Sequence, residues 1–462
     1  MMRFSIIILG WNGAAFLENC LRALLEQNQD AEIVVVDNAS TDDSIAVVQK
    51  FLPRVQLIRN PANLGFAGGN NVGIRAATGD AIILLNQDTV VHPGWLRALA
   101  ETFDDSTIGI VGCKSLYPDA RGIQHAGGIV QPGTAQTRHS GWGEQDAGQY
   151  DTLTEPDYVT GAAFAIRRAV IERLGGLDEN FYPVFYEEVD YCYRARRAGF
   201  RVVYQPRAVL HHSETTTFPA SYHRAAAYQR NRIRFVLRHW DARALDDFFA
   251  REQHTIASAN LIDDSVANAR AYWDNLLAFP LIASQRRNDA TLGAPLTRDE
   301  NRRVLEMLAA LRQAAHHRIA TLIMHHAALA QQKVAAPEYA PVAQSILSET
   351  IDLAALYTHI ENMEAQALLE WAHPHPRAPG LRGWMDTARD FLVTPLLRHY
   401  LEPLAQQQSA FNVRTFRALA TLMRATDALS RLEQLERLDA ARVSDALSAI
   451  LEQSEVGRTR DA

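Results

Sequence analysis

Short aliphatic runs alternate with helical patterns through the first 212 residues, and this alternation constrains the fold more than any other feature. Strand–helix alternation of this kind is typical of a parallel sheet. The runs are apolar throughout, so both faces of the sheet must be covered by helices. The sequence therefore predicts an α/β fold with a mostly parallel sheet. The main predicted strands are Phe4–Leu9, Ile33–Val36, Val55–Ile58, Ala81–Leu85 and Ile108–Gly112.

From about Ala242 onward, strand patterns give way to stretches rich in Ala, Leu, Gln, Glu and Arg, interrupted at Pro280, Pro295, Pro337 and Pro341. We expect two domains, an α/β domain over 1–240 and an all-α domain over 241–462. The helical domain would be a bundle or an extended arm, suited to packing on the first half or to forming a homo-oligomer. Its predicted helices are 301–332, 339–371, 387–407 and 411–438.

Charge and composition exclude several classes of protein. The net charge of −7 and the pI near 6.2 provide no basic field for nucleic acid, so no nucleic-acid partner is expected. The longest apolar runs fall far short of the ~20 residues that a membrane helix needs. Met1–Arg3 leads directly into a predicted strand, which leaves no room for a signal peptide. We expect a soluble, cytoplasmic protein.

Polar residues follow the first two predicted strands, where Trp11 and Asn12 end one strand and Asp37 and Asn38 end the other. In parallel sheets, ligands bind beyond the carboxyl ends of the strands. A carboxylate there can accept a hydrogen bond from a base N–H or a ribose hydroxyl. Alternatively, Asp37 and Asn38 only cap the next helix.

A segment dense in Gly and Asn, Asn63–Gly73, follows the third predicted strand. Gly65 and Gly69 allow close approach of the backbone to a ligand, and Asn70 supplies a donor and an acceptor. The spacing is not that of a dinucleotide fingerprint. A helix start alone would explain one glycine but not this density, so we expect a ligand contact here.

Asn86 and Asp88 follow the strand Ala81–Leu85. A carboxylate at the end of a buried strand can hold Mg²⁺ or Mn²⁺, with substrate phosphates and water completing the coordination. The alternative is capping of the helix near Pro93. Further along, His211 and His212 end another strand, and two adjacent residues of a strand cannot both face one site. We predict that His211 is the residue near the metal.

The segment Phe185–Arg194 combines acidic and aromatic residues at the start of an amphipathic helix. Glu187, Asp190 and Arg194 share one helix face, so Arg194 can neutralise Asp190. Glu188 points about 100° away from that face and is left to meet a substrate. A solvated acidic helix start is the alternative, but the neighbouring aromatic residues indicate a partly enclosed wall.

In this order, the motifs resemble those of the family 2 inverting glycosyltransferases of the GT-A fold, in particular the rhamnosyltransferase-like branch. The likeness runs from Phe4 to about Thr217. The segments that carry it are Asp37–Ser40, Asn63–Gly73, Leu85–Thr89, Tyr158–Arg167, Glu187–Arg194 and the pair His211–His212.

The resemblance implies a nucleotide-diphosphate sugar donor, linked to dTDP or UDP, and a glycan or lipid-linked acceptor, with peripheral membrane association as one further expectation. It assigns Asp88 and His211 to a divalent metal. The catalytic residues would be Glu188, Glu187 and Asp190, with Glu188 in the place where the family usually carries an Asp base. Residues expected at the donor are Trp11, Asn12, Asp37, Asn38, Asn63, Gly65, Gly69, Asn70, Asn86 and Arg194.

Two functions follow as alternatives. The first is metal-dependent inverting transfer of a sugar such as rhamnose to a hydroxyl group. The second is a catalytically impaired sugar-nucleotide-binding scaffold in a polysaccharide-assembly complex, with Glu188 as the cause of the impairment. The Gly-rich segment Tyr117–Asp157 is a candidate acceptor loop, in which Trp142 either stacks on a sugar or packs on the surface.

Overall fold

The computed structural model describes residues 2–27, 30–118, 122–213 and 221–334. The strands are β1 (Phe4–Gly10), β2 (Ala31–Asp37), β3 (Gln56–Arg59), β4 (Ala81–Asn86), β5 (Thr89–Val91), β6 (Ile108–Leu116), β7 (Ile123–His125), β8 (Gly128–Val130), β9 (Thr137–His139), β10 (Ala163–Arg167) and β11 (Arg201–His212). Nine of them form one sheet in the order β3-β2-β1-β4-β10-β6-β11-β5, with β7 paired to β6. Strands β8 and β9 form a separate hairpin.

Most of the sheet runs in one direction. Strands β3, β2, β1 and β4 pair in parallel, as do β6 and β11. Strand β10 lies antiparallel between β4 and β6, so that β6 points the same way as β4. The predicted α/β class with a mostly parallel sheet is confirmed. The carboxyl ends of β1, β2, β4, β6 and β11 consequently meet along one edge.

Helices cover the sheet, and a further set of helices follows it. They are α1 (Ala14–Leu25), α2 (Ser44–Gln49), α3 (Gly65–Ala76), α4 (Trp95–Thr102), α5 (Arg168–Leu174), α6 (Glu187–Arg197), α7 (Ser221–His239), α8 (Ala242–Ser258), α9 (Ile262–Asn288) and α10 (Arg298–Val334), with a short 3-10 helix over Glu179–Phe181. The buried aliphatic residues of β1, β2 and β4 form one core with α1 and α4.

Two local predictions need correction. The alternative in which Asp37 and Asn38 cap the next helix is wrong, because the helix after β2 starts only at Ser44, with Asp43 at its N-cap position. Pro280 does not end a helix, since it lies inside α9. Leu276, Phe279 and Ile282 are buried on either side of it, and their packing compensates for the hydrogen bond that proline cannot make.

The residues of the described chain fall into two compact units. The first contains Met1–Ser258 and Ala267–Ala315. In it, a buried ion pair joins α7 to α8, with Arg232 Nη2 at 2.7 Å from Glu252 Oε2. The Tyr272 hydroxyl of α9 donates to the same carboxylate at 2.7 Å. Helices α7, α8 and α9 are therefore connected through one buried carboxylate.

The second unit has as its described part residues 259–266 and 316–334. Within it, Arg318 Nε donates to the carbonyl of Ala259 at 2.8 Å. The predicted helix 301–332 lies within α10, whereas the helices predicted over 339–371, 387–407 and 411–438 lie outside the described residues. The boundary predicted at 240/241, and oligomer formation through the helices, stay predictions.

Helix α3 approaches β1 closely, and its glycines make that possible. A Cβ atom on Gly73 would overlap Cγ2 of Ile7, and one on Gly69 would overlap Cδ1 of Leu9. Part of the glycine density in this segment therefore serves packing rather than ligand binding.

Gly73→Ala should lower the free energy of unfolding by ~1–3 kcal/mol, because the added methyl group overfills the α3–β1 contact. Helix propensity alone predicts the opposite sign, a gain of up to about 1 kcal/mol. Urea unfolding of the two proteins decides between them, and an increase in stability would contradict the close packing described here.

Candidate active site

The carboxyl ends of β1 and β2 form a crevice, as the sequence predicted. Gly10 pairs with Asp37 in register, and the Asn38 N–H donates to the Gly10 carbonyl at 2.7 Å. Asn12 Oδ1 accepts from the Thr41 N–H at 2.8 Å. Asp37 is buried, and its carboxylate accepts only a long bond of 3.3 Å from the Ser40 N–H among the bonds described. Asp37 thus lies in position to receive a further donor from a ligand.

Asn38 has a different environment. Its Oδ1 accepts from Asn60 Nδ2 and from the Leu64 N–H, both at 3.0 Å. Its Nδ2 donates to Asn63 Oδ1 at 2.9 Å. The Asn63 Oδ1 also accepts from the Gly65 N–H at 2.8 Å. Asn38 and Asn63 therefore hold the turn into α3, and a donor-binding role for either residue stays a prediction.

Helix α3 begins at Gly65, which has a left-handed φ of 71°. Asn70 Nδ2 donates to the Phe66 carbonyl at 2.9 Å, while its Oδ1 is buried without a hydrogen-bond partner in the structure as described. An orphaned buried oxygen of this kind is unusual in folded proteins. Asn70 is therefore the member of the segment best placed to bind a ligand group.

Gln87, which the sequence analysis missed, connects the crevice to the next strand. Its Oε1 accepts from the Trp11 N–H at 3.0 Å, and its Nε2 donates to the Trp11 carbonyl at 3.0 Å. A Cβ atom at Gly13 would overlap the Gln87 amide group. Because Gln87 precedes Asp88, this pair of bonds places the predicted metal carboxylate next to the end of β1.

Asp88, His212 and Asn86 form a polar cluster where β4 ends. His212 Nε2 lies 3.3 Å from Asp88 Oδ1 and 3.3 Å from Asn86 Nδ2. The Ser213 N–H also donates to the Asp88 carbonyl at 3.0 Å. The three side chains come from β4, the turn after it and the end of β11, so the sheet edge itself brings them together.

Gln124 of β7 fixes the tautomer of His212. Gln124 Oε1 accepts from Ser115 Oγ at 2.8 Å and lies 2.7 Å from His212 Nδ1. An amide oxygen cannot donate, so Nδ1 must carry the proton. In neutral His212 the lone pair of Nε2 then points toward Asp88. Histidine ligands of metals have this arrangement, with the second ring nitrogen held by an acceptor.

The donor set fits a divalent cation. One carboxylate and one imidazole face each other, and Mg²⁺ or Mn²⁺ accepts few protein ligands when phosphate oxygens and water fill the remaining positions. Among the described residues, no group of three or more His, Cys, Asp or Glu side chains is arranged to hold a metal. A metal here would accordingly depend on ligands from the substrate.

The structure brings His212, rather than the predicted His211, to Asp88. It places His211 against His92, with the two Nε2 atoms 3.4 Å apart. Strand β11 has an irregularity between Gln205 and Val209, and such bulges reverse which residues face a given side of the sheet. A metal-binding role for His211 stays a prediction.

Glu187 and Glu188 start α6 with one carboxylate oxygen each, Oε2, buried and without a hydrogen-bond partner among the described residues. Burial raises the pKa of Glu188 to about 7, although the N–H groups of Glu188 and Val189 oppose the shift. Burial, followed by the neighbouring Glu188 charge, also raises the pKa of Glu187 well above its usual value. Two such carboxyl groups are a typical proton-transfer arrangement.

The turn into α6 is strained at Phe185 and Tyr186, whose φ angles are 83° and 73°. Asn231 Nδ2 of α7 donates to the Phe185 carbonyl at 3.0 Å. The Tyr186 hydroxyl donates to the Ala135 carbonyl at 2.6 Å. Left-handed non-glycine residues persist only where the surroundings hold them, and here those contacts fix the position of the two glutamates.

Asp190 lies on the same helix in a contrasting environment. It is fully buried and accepts from Arg194 Nε at 2.9 Å, from Arg238 Nε at 2.9 Å and from His239 Nε2 at 2.8 Å. Burial opposes ionisation, yet Arg238 and Arg194 hold the pKa of Asp190 far below its usual range. With these oxygens occupied, Asp190 and Arg194 belong to a structural ion cluster, and a direct role for either residue at the substrate stays a prediction.

The two clusters belong to one region. The Asn86 N–H donates to the Ala162 carbonyl at 3.0 Å, and Arg196 of α6 donates to the carbonyls of Pro156 and Asp157. Tyr158 follows Asp157, and its pKa is raised by burial and then by the Glu188 charge. The segment from Pro156 to Ala162 therefore runs from α6 to the end of β4.

Tyr158, Gln87, Gln124 and His212 are the site residues that sequence reasoning missed. Tyr158, Gln87 and His212 lie inside segments that carried the family resemblance, which was the available signal. Gln124 gave no signal of its own, because its importance comes from a partner 88 residues away in the chain.

Comparison with known proteins agrees with this architecture. Residues 5–175 match the family model described as glycosyl transferase family 2. The chain carries a glycosyl transferase family 2 domain. His212 lies beyond the matched range on β11 of the same sheet, and Glu188 lies beyond it on helix α6.

Relatives of this domain are found in several bacteria. The chain is 30% identical over 214 residues to the uncharacterized protein y4gI of Sinorhizobium fredii, covering 43% of this chain and 23% of the relative. It is 28% identical over 264 residues to the N-acetylglucosaminyl-diphospho-decaprenol L-rhamnosyltransferase of Mycobacterium tuberculosis, covering 51% of this chain and 84% of the relative. Matches to the first relatives span less than half of their length, for example 46% of the pre-mycofactocin glycosyltransferase of Mycobacterium tuberculosis.

Solved structures similar to the chain include two glycosyltransferases. A mannosyltransferase from Pyrobaculum calidifontis in complex with GDP-Man and Mn²⁺ has a TM-score of 0.38 and 20% identity, covering 68% of this chain and 86% of that one. GalNAc-T7 with UDP, GalNAc and Mn²⁺ has a TM-score of 0.46 and 17% identity, covering 67% of this chain and 57% of that one.

Asp190→Ala should lower the free energy of unfolding by ~3–5 kcal/mol, because Arg194, Arg238 and His239 would remain buried without their shared acceptor. Chemical denaturation measures the loss. Glu101→Ala, which breaks only exposed pairs with Arg97 and Arg207, is the control and should change the unfolding midpoint little. Equal effects of the two substitutions would argue against the cluster.

Proposed function

We propose that the protein is a metal-dependent inverting glycosyltransferase that moves a hexose from a nucleotide-diphosphate donor to a hydroxyl group of a glycan or a lipid-linked acceptor. Two features together support this proposal. His212 lies beside Asp88 with its tautomer fixed by Gln124, and Glu187 and Glu188 each have a buried carboxylate oxygen without a hydrogen-bond partner among the described residues. The family 2 domain supplies the context.

The nucleotide would bind at the crevice between β1 and β2. Asp37 is the acceptor for a base N–H or a ribose hydroxyl, and Asn12 and Trp11 line the same end of β1. Asn70, with its orphaned Oδ1, is suited to a sugar or ribose hydroxyl. This places the donor across the ends of β1 and β2, with its diphosphate directed toward Asp88.

Asp88 and His212 would hold Mg²⁺ or Mn²⁺, with Asn86 as the neighbouring polar group. When bound, the cation supplies positive charge that offsets the charge developing on the departing diphosphate. The contribution of the chain is to fix the Asp88 carboxylate through the Gln87–Trp11 bonds and to orient His212 through Gln124.

Glu188 is the base in this proposal. It accepts the proton of the acceptor hydroxyl as that oxygen attacks the anomeric carbon, and the bond to the diphosphate breaks on the opposite side, which inverts the anomeric centre. A base with a pKa near the working pH is effective at proton transfer. Glu187 stays protonated beside it, so that a single negative charge resides in the pair.

The donor sugar is proposed to be rhamnose and the acceptor lipid-linked, acted on in the cytoplasm or at the inner face of the membrane. Support comes from the relative named as a rhamnosyltransferase, of which the chain covers 84% at 28% identity. None of the described helices is long and apolar enough to cross a bilayer.

Substitution of the two adjacent histidines tests the metal assignment. His212→Gln should raise the Mn²⁺ concentration needed for half-maximal activity by about 10–100-fold, the usual effect of losing one metal ligand or its support. His211→Gln, which leaves the Asp88 cluster intact, is the matched control and should leave the Mn²⁺ requirement unchanged. The reverse pattern would support His211 as the metal ligand instead. Activity is measured as the release of nucleoside diphosphate from a panel of dTDP- and UDP-sugars.

The pH dependence of turnover tests the base. Glu188 acts when deprotonated and has a raised pKa of about 7, so the rate should climb from pH 6 to pH 8 and then level off. Glu188→Gln should remove this rise of the rate with pH. It should also reduce kcat by ~10²–10⁴-fold with little change in the KM of the donor. Glu188→Asp should retain more activity than Glu188→Gln.

Sugar-nucleotide binding without turnover across the donor panel, in the unaltered protein, would instead support the scaffold alternative. Unchanged turnover in Glu188→Gln would remove Glu188 from the role of base.

A further inference from the structure

Trp142 is the most exposed of the large hydrophobic residues among those that the structure describes, with 69% of its surface open to solvent. Tryptophan is enriched at binding surfaces, because its ring is apolar while its N–H can still donate a hydrogen bond. The sequence left two roles open for Trp142, stacking on a sugar or packing on the surface, and the proposed function uses neither.

The ring is held rigidly despite its exposure. Its indole N–H donates to the Tyr117 hydroxyl at 2.6 Å. Gly141 and Gly143 on either side have left-handed φ angles of 76° and 77°. The Gly143 N–H donates to the Ile123 carbonyl at 2.8 Å, which fastens the turn to β7. A fixed ring loses little entropy when it binds a ligand.

Trp142 lies at the same edge of the sheet as the metal cluster. Tyr117 directly follows Leu116, the last residue of β6, and Leu116 pairs with His211 in the parallel strand β11. The next position along β11 is His212, which contacts Asp88. Tyr117, whose hydroxyl accepts from the indole N–H, is therefore the residue opposite His212 when the pairing of β6 and β11 is continued by one position.

The strand order indicates which substrate the ring meets. The nucleotide crevice is between β1 and β2, whereas β6 and β11 lie on the other side of β4. Asp88 follows β4, so the metal cluster separates the two positions. A sugar ring on the β6 side therefore belongs to the acceptor rather than to the nucleotide half of the donor.

The charge around the ring restricts the kind of acceptor. The segment from Ser140 to Asp157 contains five acidic residues and no Lys or Arg, namely Glu144, Asp146, Asp151, Glu155 and Asp157. Lys114 pairs with Asp146 and Asp151, and Arg201 pairs with Glu155. The five carboxylates outnumber these two cations, so the segment stays negative. An acidic sugar or a phosphate group would be repelled here.

We propose that the indole face of Trp142 is the acceptor subsite and stacks on an uncharged pyranose ring of the acceptor glycan. This inference rests on the proposed transferase function. Tyr117 acts as a positioning residue, since it contacts the indole N–H and sets the plane of the ring.

Fluorine NMR of the full chain labelled with 5-fluorotryptophan tests the proposal without requiring turnover. The Trp142 signal is assigned by its absence in Trp142→Phe. We expect it to shift with neutral probes, methyl pyranosides and chitobiose, and to stay in place with methyl glucuronide and with UDP or dTDP. No shift with any neutral probe up to ~50 mM would overturn the proposal.

Variants separate stacking from general effects. Because variants at Trp142 lack its signal, their affinity is measured by saturation-transfer NMR of the neutral probe itself. Trp142→Ala should weaken binding of the probe about tenfold, in the range of one aromatic contact, and Trp142→Phe should weaken it less. Leu153→Ala removes another exposed apolar side chain of the same segment, 41% exposed, and should bind as the unaltered chain does. Tyr117→Phe should reduce affinity while keeping the ring. Equal affinity in Trp142→Ala would overturn the proposal.

The two proposals can fail separately. Asp88→Ala should abolish release of nucleoside diphosphate while the Trp142 signal still shifts with neutral sugar. A shift of that signal in a chain that turns over no donor would retain the sugar subsite and reject the transferase. Turnover with no shift, and an acceptor KM unchanged in Trp142→Ala, would reject the subsite alone.

Discussion

The charge balance at Asp190 determines where the first turn of α6 lies. Asp190 receives hydrogen bonds from its own helix through Arg194 and from the end of α7 through Arg238 and His239. Arg238 also pairs with Asp178 at 2.7 Å. Because all of these groups are buried, the ionised form of Asp190 exists only with its cations in place. Movement of α7 would therefore displace the first turn of α6.

Helix α6 thus carries two kinds of carboxyl group within four residues. Cations surround Asp190 and depress its pKa, whereas burial without compensating donors raises the pKa of Glu188 and Glu187. Groups with opposite environments can take opposite roles, one in maintaining structure and the other in moving a proton. The sequence shows an acidic residue at all three positions, and the packing of α7 distinguishes Asp190 from the two glutamates.

Much of the fold could be predicted because the strands of a parallel sheet are continuous apolar runs. The Asp37 crevice and the Asp88 turn were predicted for the same reason, since each directly follows such a run. The choice between His211 and His212 depends on the irregularity after Gln205, a feature that local patterns do not encode. Helix spacing predicted the Arg194–Asp190 pair, but the partners of Asp190 from α7 and the contact of Gln124 with His212 escaped prediction, because they join residues 48, 49 and 88 positions apart.

The bond network of α7 has a practical consequence for anyone shortening the protein. Arg286 of α9 donates to the carbonyls of Leu237 and Trp240 at 2.8 Å each, and so satisfies the C-terminal end of α7 from a helix that follows much later in the chain. A fragment trimmed to residues 5–175, the segment matched by the family, would lose α6, β11 and α7, and with them Asp190 and its three basic partners. Expression of the α/β domain on its own should therefore extend through the first part of α10.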